Sequence, residues 1–305
     1  MQAVIFIMNH VSGEKLENQY LPFLKDYQGI PAVWISMEEG QKVIQAAQKH
    51  ASATLVLDAV TEKEAPTESF YVMIQGKNDQ ECILINSHTD GVNVVEENGP
   101  IAMLSMIRYL QRQEQPERTM IFLFVTGHFR LPVFKNTSQA TSTWLSEHPE
   151  LWDGAEGHRK VVAGLTVEHL GALEWKDDAN GQYGATGEIC LECVYAGNET
   201  METIWRKANA VRTRTRSTIV RGHNGFNFGE SQPLLEADIP MIEFLTMPDY
   251  LLVDSKGREM DKFDVDLMHE QTLALVKALL ITDGTPTELL GHNDPYSYLI
   301  GNLPG

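Results

Sequence analysis

Residues 82–90, Cys-Ile-Leu-Ile-Asn-Ser-His-Thr-Asp, join an apolar run directly to the polar triplet His88-Thr89-Asp90. Three further apolar runs follow along the chain, at 120–126, 161–167 and 241–247. Continuous apolar runs without polar alternation are typical of strands buried on both faces, as in largely parallel sheets. These runs therefore predict the strands of a buried α/β sheet.

Helical patterns separate these runs. Between the first two, Ile101, Leu104, Ile107 and Leu110 recur at helical spacing, with Asn98 as a candidate N-cap and Pro100 in the first turn. A second helix is expected after Asp264. The predicted fold is α/β, with a mixed, mostly parallel sheet flanked by helices.

The first part of the chain predicts a small, separate α/β region. Strands are expected at 3–8, 30–36 and 54–60, and a helix at 38–51. The polar stretch that begins at Thr61 is typical of a linker. We therefore divide the chain into residues 1–66 and 67–305.

Charge and hydropathy restrict the partners. The 305 residues carry a formal net charge of −18, which argues against nucleic acid and against anionic membranes, since both require clustered Lys and Arg. No stretch has the roughly 20 apolar residues that span a bilayer. The first ten residues lack the basic segment of a signal peptide, so the compartment stays open, with a slight preference for the cytoplasm. A strand is predicted to begin at once, which suggests a trimmed chain or a naturally short relative.

Imidazoles and carboxylates follow the predicted strands. His88 and Asp90 follow the first run, His128 the second, Glu168 and His169 the third, and the pair Glu96-Glu97 precedes a helix. Ligands of α/β proteins bind at the carboxyl ends of the strands, and imidazole with carboxylate is what Zn²⁺ prefers. We predict a metal site among His88, the pair Glu96-Glu97, His128 and Glu168, with Asp90 orienting the His88 ring. Each residue alone is equally consistent with a structural role.

At these residues the sequence resembles the zinc aminopeptidase (co-catalytic metallopeptidase) family, which includes glutaminyl cyclases and the glutamate carboxypeptidase II group. The resemblance covers roughly residues 70 to 280. The family's strand-ending His-x-Asp matches His88 and Asp90. Its metal-bridging acid corresponds to Glu96, with Glu97 as the second choice, and its later aspartate ligand corresponds to Glu168. Residues 30–47 are similar to the end of a protease-associated domain, which implies a partial copy of that domain in 1–66.

The resemblance also shows departures from the family. Gly127 and His128 stand where the family has a catalytic Glu followed by a Glu ligand, and Leu251 stands where it has its last His ligand. A glycine cannot accept a proton, so Glu97, His169 or Glu230 must replace the base if catalysis is retained. The implied cofactor is zinc, as one or two ions.

Two functions follow from the sequence. The first is a metal-dependent hydrolase that cleaves a peptide or small amide substrate, with Glu97, His169 and Asp90 as catalytic residues. The second is a non-catalytic relative, comparable to the transferrin receptor, that keeps the fold as a binding module. Ligand-capable replacements such as His128 favour the enzyme, whereas Gly127 favours the binding module.

Overall fold

The computed structural model describes residues 3–19, 30–58, 60, 62, 66–127, 139–222, 227–254, 257–296 and 298–300. The strands in this part of the chain are β1 Val4–Met8, β2 Ala32–Ser36, β3 Phe70–Ile74, β4 Asn78–His88, β5 Arg118–Val125, β6 Lys160–Val167, β7 Leu173–Asp177, β8 Tyr183–Ile189, β9 Glu192–Ala196, β10 Ser217–Arg221, β11 Met241–Thr246 and β12 Tyr298–Ile300. The α-helices are α1 Gly13–Leu16, α2 Met37–Gln48, α3 Gly99–Leu110, α4 Ala140–Glu147, α5 Glu199–Asn209, α6 Gln232–Glu236, α7 Val265–Asp283 and α8 Thr287–Leu290.

An eight-stranded sheet with the order β12-β10-β9-β11-β6-β4-β5-β3 forms the centre of the molecule. The central strands β11, β6, β4 and β5 are parallel to one another, and antiparallel pairs join β9 to β11, β12 to β10 and β3 to β5. All eight side chains of β5 are buried, as the unbroken apolar run requires. The predicted mixed, mostly parallel sheet flanked by helices is confirmed.

Helices cover both faces of this sheet. The side chains of α3, α5 and α7 pack with β4, β6 and β11 in one core cluster, while Trp144 and Leu145 of α4 belong to a second cluster on other strand residues. The helix expected after Asp264 is present as α7, and Asp264 caps it by accepting from the N–H groups of Asp266 and Leu267. No helix in the described part of the chain is long and apolar enough to cross a membrane.

Asn98 does not cap α3 with its side chain, contrary to the prediction. Its Nδ2 donates to the carbonyl of Leu170 at 2.7 Å, and its Oδ1 accepts from the Leu170 N–H at 2.9 Å. Because this two-way bond satisfies the backbone of Leu170, Asn98 ties the start of α3 to the turn after β6. The helix therefore begins beside the carboxyl end of that strand.

The N-terminal region contains β1 and β2 as a parallel pair together with α1 and α2. The strand predicted at 54–60 is wrong: the described residues there form no strand, and Val56 is 80% exposed. Contacts cross the predicted boundary at residue 66, since Lys15 Nζ lies 2.6 Å from Asp249 Oδ2 and the Ser12 N–H donates to Asp177. Residues 12–19 thus pack on the loop that follows β11.

Candidate metal centre

His88 is the last residue of β4 and is 1% exposed. The strand pairs with β5 on one side and β6 on the other, so its carboxyl end lies between the carboxyl ends of these two parallel strands. The ring Nδ1 lies 2.9 Å from the backbone carbonyl of Asp90. The ring orientation is therefore fixed by the main chain of the His-x-Asp turn.

Glu168 and His169 follow β6 directly, and both are buried. His169 has a φ of 55°, a left-handed conformation that is uncommon for a residue with a side chain. Two bonds to Thr246 of β11 hold it: Nδ1 lies 2.9 Å from the Thr246 carbonyl, and the Thr246 hydroxyl donates to the His169 carbonyl at 2.6 Å. This turn brings the side chains of two consecutive residues to the same place.

His88, Glu168 and His169 form one compact group. The two Nε2 atoms are 3.3 Å apart, and Glu168 Oε2 lies 3.9 Å from His88 Nε2 and 3.8 Å from His169 Nε2. In the described ranges, this is the one set of three or more His, Cys, Asp or Glu side chains whose ligand atoms all lie within 4.8 Å of one another.

The hydrogen bonds of the two rings fix their tautomers. A backbone carbonyl only accepts, so each Nδ1 facing one must carry a hydrogen. In neutral imidazoles, both Nε2 atoms then present lone pairs, and two lone pairs cannot hydrogen-bond to each other. Three acceptors, two nitrogens and a carboxylate oxygen, therefore point to one position, which is the electrostatic arrangement that a cation stabilises.

The size of the triangle fits a small divalent ion. A point equidistant from the three atoms, in their plane, lies about 2.1 Å from each, close to Zn–N and Zn–O bond lengths. Two histidines and one carboxylate also match the ligand set of catalytic zinc sites that keep an open position. The residues present fit a single metal ion.

A buried polar network holds the carboxylate of Glu168. Its Oε1 accepts from the Glu230 N–H at 2.7 Å, and the Glu230 carbonyl accepts from Asn86 Nδ2 at 2.9 Å. The Glu230 carboxylate accepts from the Thr141 hydroxyl at the start of α4. The segment 227–231 is thus connected to β4, β6 and α4 at the level of the site.

Glu243, in the middle of β11, was not predicted as a site residue. It is fully buried, its Oε2 accepts from the Ser231 hydroxyl, and burial together with the neighbouring Glu168 and Glu230 carboxylates raises its pKa well above the ordinary value. Gly229, with a φ of +89°, separates it from Glu168: a Cβ there would lie 2.2 Å from Glu243 Oε1 and 2.6 Å from Glu168 Oε2. The glutamate that interrupts the apolar run 241–247 was the available sequence signal.

The other predicted residues have different positions. Glu96 is buried beside Gly91 and accepts from the Val92 N–H at 3.1 Å, and it is not in the three-residue group. Glu97 is exposed overall, but its carboxyl group is partly buried, and this burial raises its pKa. Asp90 Oδ1 accepts from the Gly127 N–H at 3.0 Å. His128 lies outside the described residues.

His169, predicted as a catalytic residue, lies in the group of three side chains that could hold a metal ion. Both ring nitrogens are committed, Nδ1 to the Thr246 carbonyl and Nε2 to the three-atom group. The spacing of the sequence does not reveal this, because consecutive residues converge only when the backbone is left-handed at the second one.

Leu251, at the position of the family's last His ligand, is anchored through its main chain. The Asn93 side-chain amide donates to the carbonyls of Tyr250, Leu251 and Val253 at 2.9–3.1 Å. Its Oδ1 accepts from the N–H groups of Val95 and Glu96. Asn93 thus ties the segment that carries Glu96 to the loop after β11.

No protein-family model matches the sequence, and no curated protein matches it. Several solved structures do match. BSAP, a zinc aminopeptidase from Bacillus subtilis, has a TM-score of 0.58 and 14% identity, covering 92% of this chain and 64% of that one. The aminopeptidase from Aneurinibacillus sp. strain AM-1 has a TM-score of 0.54 and 12% identity, covering 91% and 62%. The Legionella pneumophila LapA aminopeptidase has a TM-score of 0.50 and 14% identity, covering 71% and 59%.

The chain spans less than two thirds of the length of each of these three proteins. At these identities the likeness shows a shared fold and leaves the activity to be argued from the site. The comparisons give no support for a protease-associated domain in residues 1–66.

Proposed function

We propose that this chain is a metal-dependent hydrolase that holds one zinc ion between His88, Glu168 and His169 and cleaves an amide or peptide bond. The observation that carries the proposal is the convergence of three ligand atoms, all within 4.8 Å of one another, on one buried position, with both imidazole rings held by main-chain carbonyls. The shared fold with zinc aminopeptidases supports the assignment.

A zinc ion at this position supplies Lewis acidity, which polarises a carbonyl and makes water more acidic. The residues of the chain bind and orient: the Asp90 and Thr246 carbonyls hold the two rings, and the Glu230 N–H holds the Glu168 carboxylate. Because these orienting groups are main-chain atoms, the ligands are preorganised before any ion binds.

Proton transfer requires a separate group, because Gly127 has no side chain and both nitrogens of His169 are engaged. Glu97 is the residue we assign to it. Its Cβ lies 2.8 Å from the ideal Cβ position on Gly91, directly after the His-x-Asp turn. Its pKa is raised by partial burial, which makes the carboxylate a better base than a fully solvated glutamate.

The decisive experiment combines metal analysis with hydrolysis. We expect about one zinc per chain, lost in His88→Ala and retained in His292→Ala, a control at a histidine whose side chain is 80% exposed. Aminoacyl anilides should be hydrolysed by the zinc-loaded wild type, and a chelator should abolish the reaction. A protein without a stoichiometric divalent ion, or with chelator-insensitive hydrolysis, contradicts the proposal.

A binding module with the same fold is the second candidate, favoured by Gly127 and Leu251 at the positions of the family's base and last ligand. It predicts a folded protein with no turnover on any anilide. Glu97→Gln separates the two functions: it should reduce turnover by at least about a hundredfold in the enzyme and change nothing in a binding module.

A further inference from the structure

A cavity of about 550 Å³ lies beside the candidate metal centre, at the carboxyl end of β5. Its walls come from the edge strand β3, the end of β5 and helix α4. Thr126 and Gly127, both in the wall, are bonded to the turn that follows His88: the Thr126 and Thr89 hydroxyls are 2.7 Å apart, and the Gly127 N–H donates to Asp90. The cavity is thus one strand away from His88 and two strands away from Glu168 and His169.

Aromatic rings dominate one side of this cavity. Tyr71 contacts Trp144 and His148 edge to face, with ring centroids 5.7 and 5.6 Å apart. The ring of Phe70 instead stacks on Phe124 at 4.7 Å, on the face of the sheet that α3, α5 and α7 cover, so Tyr71, Trp144 and His148 supply the rings of the cavity. The volume lies within the range of small-ligand pockets, which leaves room for a side chain of any size, and rings at this edge-to-face geometry favour a further ring.

The position of Gly127 connects the cavity to the site. At the place where the resemblance implies a catalytic glutamate, this chain has no side chain, so nothing from Gly127 itself stands between the aromatic wall and the turn at Asp90. In addition, β3 is the edge strand of the sheet, and Phe70 and Tyr71 lie at its end nearest the site. An extended chain beside an edge strand directs alternate side chains to the same face.

We propose that this cavity is a specificity pocket that binds an aromatic side chain of a peptide substrate. As a substrate assignment it rests on the hydrolase function proposed above, whereas the binding of an aromatic peptide is measurable without any hydrolysis.

The test is calorimetry of the zinc-loaded protein with two reduced-amide tripeptides that cannot be hydrolysed, one with a central Phe and one with a central Ala. We expect the Phe peptide to bind about tenfold more tightly. Tyr71→Ala should remove this difference, and Tyr109→Ala should keep it, because Tyr109 is similarly exposed (40% against 37%) but lies on α3. Thr143→Phe, at an exposed position in the cavity wall, should block the Phe peptide without disturbing the core.

Equal binding of the two peptides, absence of binding, or a Phe preference that survives both Tyr71→Ala and Thr143→Phe overturns the pocket. These results differ from a failure of the proposed function. If the protein prefers the Phe peptide but hydrolyses no anilide, the pocket proposal stands and the hydrolase proposal fails. If it hydrolyses Ala and Phe anilides equally, the hydrolase proposal stands and the pocket proposal fails. Circular dichroism melting of each variant verifies that it is folded.

Discussion

Replacing Gly229 with Ala should abolish metal binding, although this glycine is not a ligand. The added Cβ would lie 2.2 Å from Glu243 Oε1 and 2.6 Å from Glu168 Oε2, whereas carbon and oxygen normally stay more than 3.0 Å apart at such positions. Neither carboxylate can move easily, because Ser231 holds Glu243 and the Glu230 N–H holds Glu168. Metal–ligand distances tolerate only about 0.2 Å, so displacing Glu168 disrupts the site.

The backbone adds a separate cost, which a control can measure. Gly229 has a φ of +89° and Gly187 has a φ of +86°, but a Cβ at Gly187 would meet nothing within 4 Å. Gly187→Ala should therefore lose about 1 kcal/mol from the left-handed backbone alone. Gly229→Ala should lose that amount plus about 1–3 kcal/mol of overpacking.

The assay is urea unfolding of both variants, together with zinc content after dialysis. We expect Gly187→Ala to keep one zinc per chain and Gly229→Ala to keep almost none. If Gly229→Ala has the same zinc content and zinc affinity as the wild type, then Glu168 is not a ligand whose position depends on this glycine.

Three further predictions concern the bonds around the metal centre, the bound ion itself, and Arg118 at the start of β5. Thr246→Val, which removes the hydroxyl that donates to the His169 carbonyl, should weaken zinc binding by about tenfold in a competition titration, and an unchanged affinity would show that the left-handed turn is held without it. A chelator should lower the melting temperature of the wild type but not that of His88→Ala, because only a bound ion stabilises the folded state, and equal shifts would count against the site. Arg118→Met should lower the unfolding free energy by about 3 kcal/mol at pH 7, because the buried guanidinium bonds Glu81 and three carbonyls at the end of α7 and beyond. Burial raises the pKa of Glu81, but the hydrogen bonds from Thr287 and Arg118 outweigh burial and hold that pKa below its ordinary value of 4.5. The stability that the Arg118–Glu81 pair contributes is therefore present above pH 4.5 and declines as the pH falls through the pKa of the folded protein. A difference in unfolding free energy between the variant and the wild type that stays constant from pH 7 to pH 3 would contradict this.

The sequence predicted the sheet well, because long apolar runs leave a strand few alternatives to burial on both faces. It also predicted that His88 and Glu168 lie at one edge, since parallel strands in register bring their carboxyl ends together. The strand predicted at 54–60 was wrong because an apolar run alone does not guarantee a strand. Its apolar residues satisfy the pattern of a strand, but the described part of that segment has no neighbouring strand with which to pair.

The placement of His169 beside His88 and Glu168, and that of Glu243 near Glu168, could not be predicted in this way. The first depends on a single left-handed φ, which is decided by the tertiary bonds to Thr246. The second depends on which face of β11 the glutamate occupies, and this follows from the register of β11 with β6, in which Glu243 is the partner of Thr166. Neither quantity is encoded in local spacing.

The main-chain carbonyls that hold the two imidazole rings have a consequence for how the molecule tolerates mutation. Because the carbonyls of Asp90 and Thr246 exist whatever side chain each residue carries, genetic drift at those positions cannot directly erase the acceptors. The side chains of His88, Glu168 and His169 have no such protection, because a substitution at any of them removes its ligand atom. In such a scaffold the orientation of the rings is maintained by the backbone, whereas the ligand atoms themselves can be lost one substitution at a time.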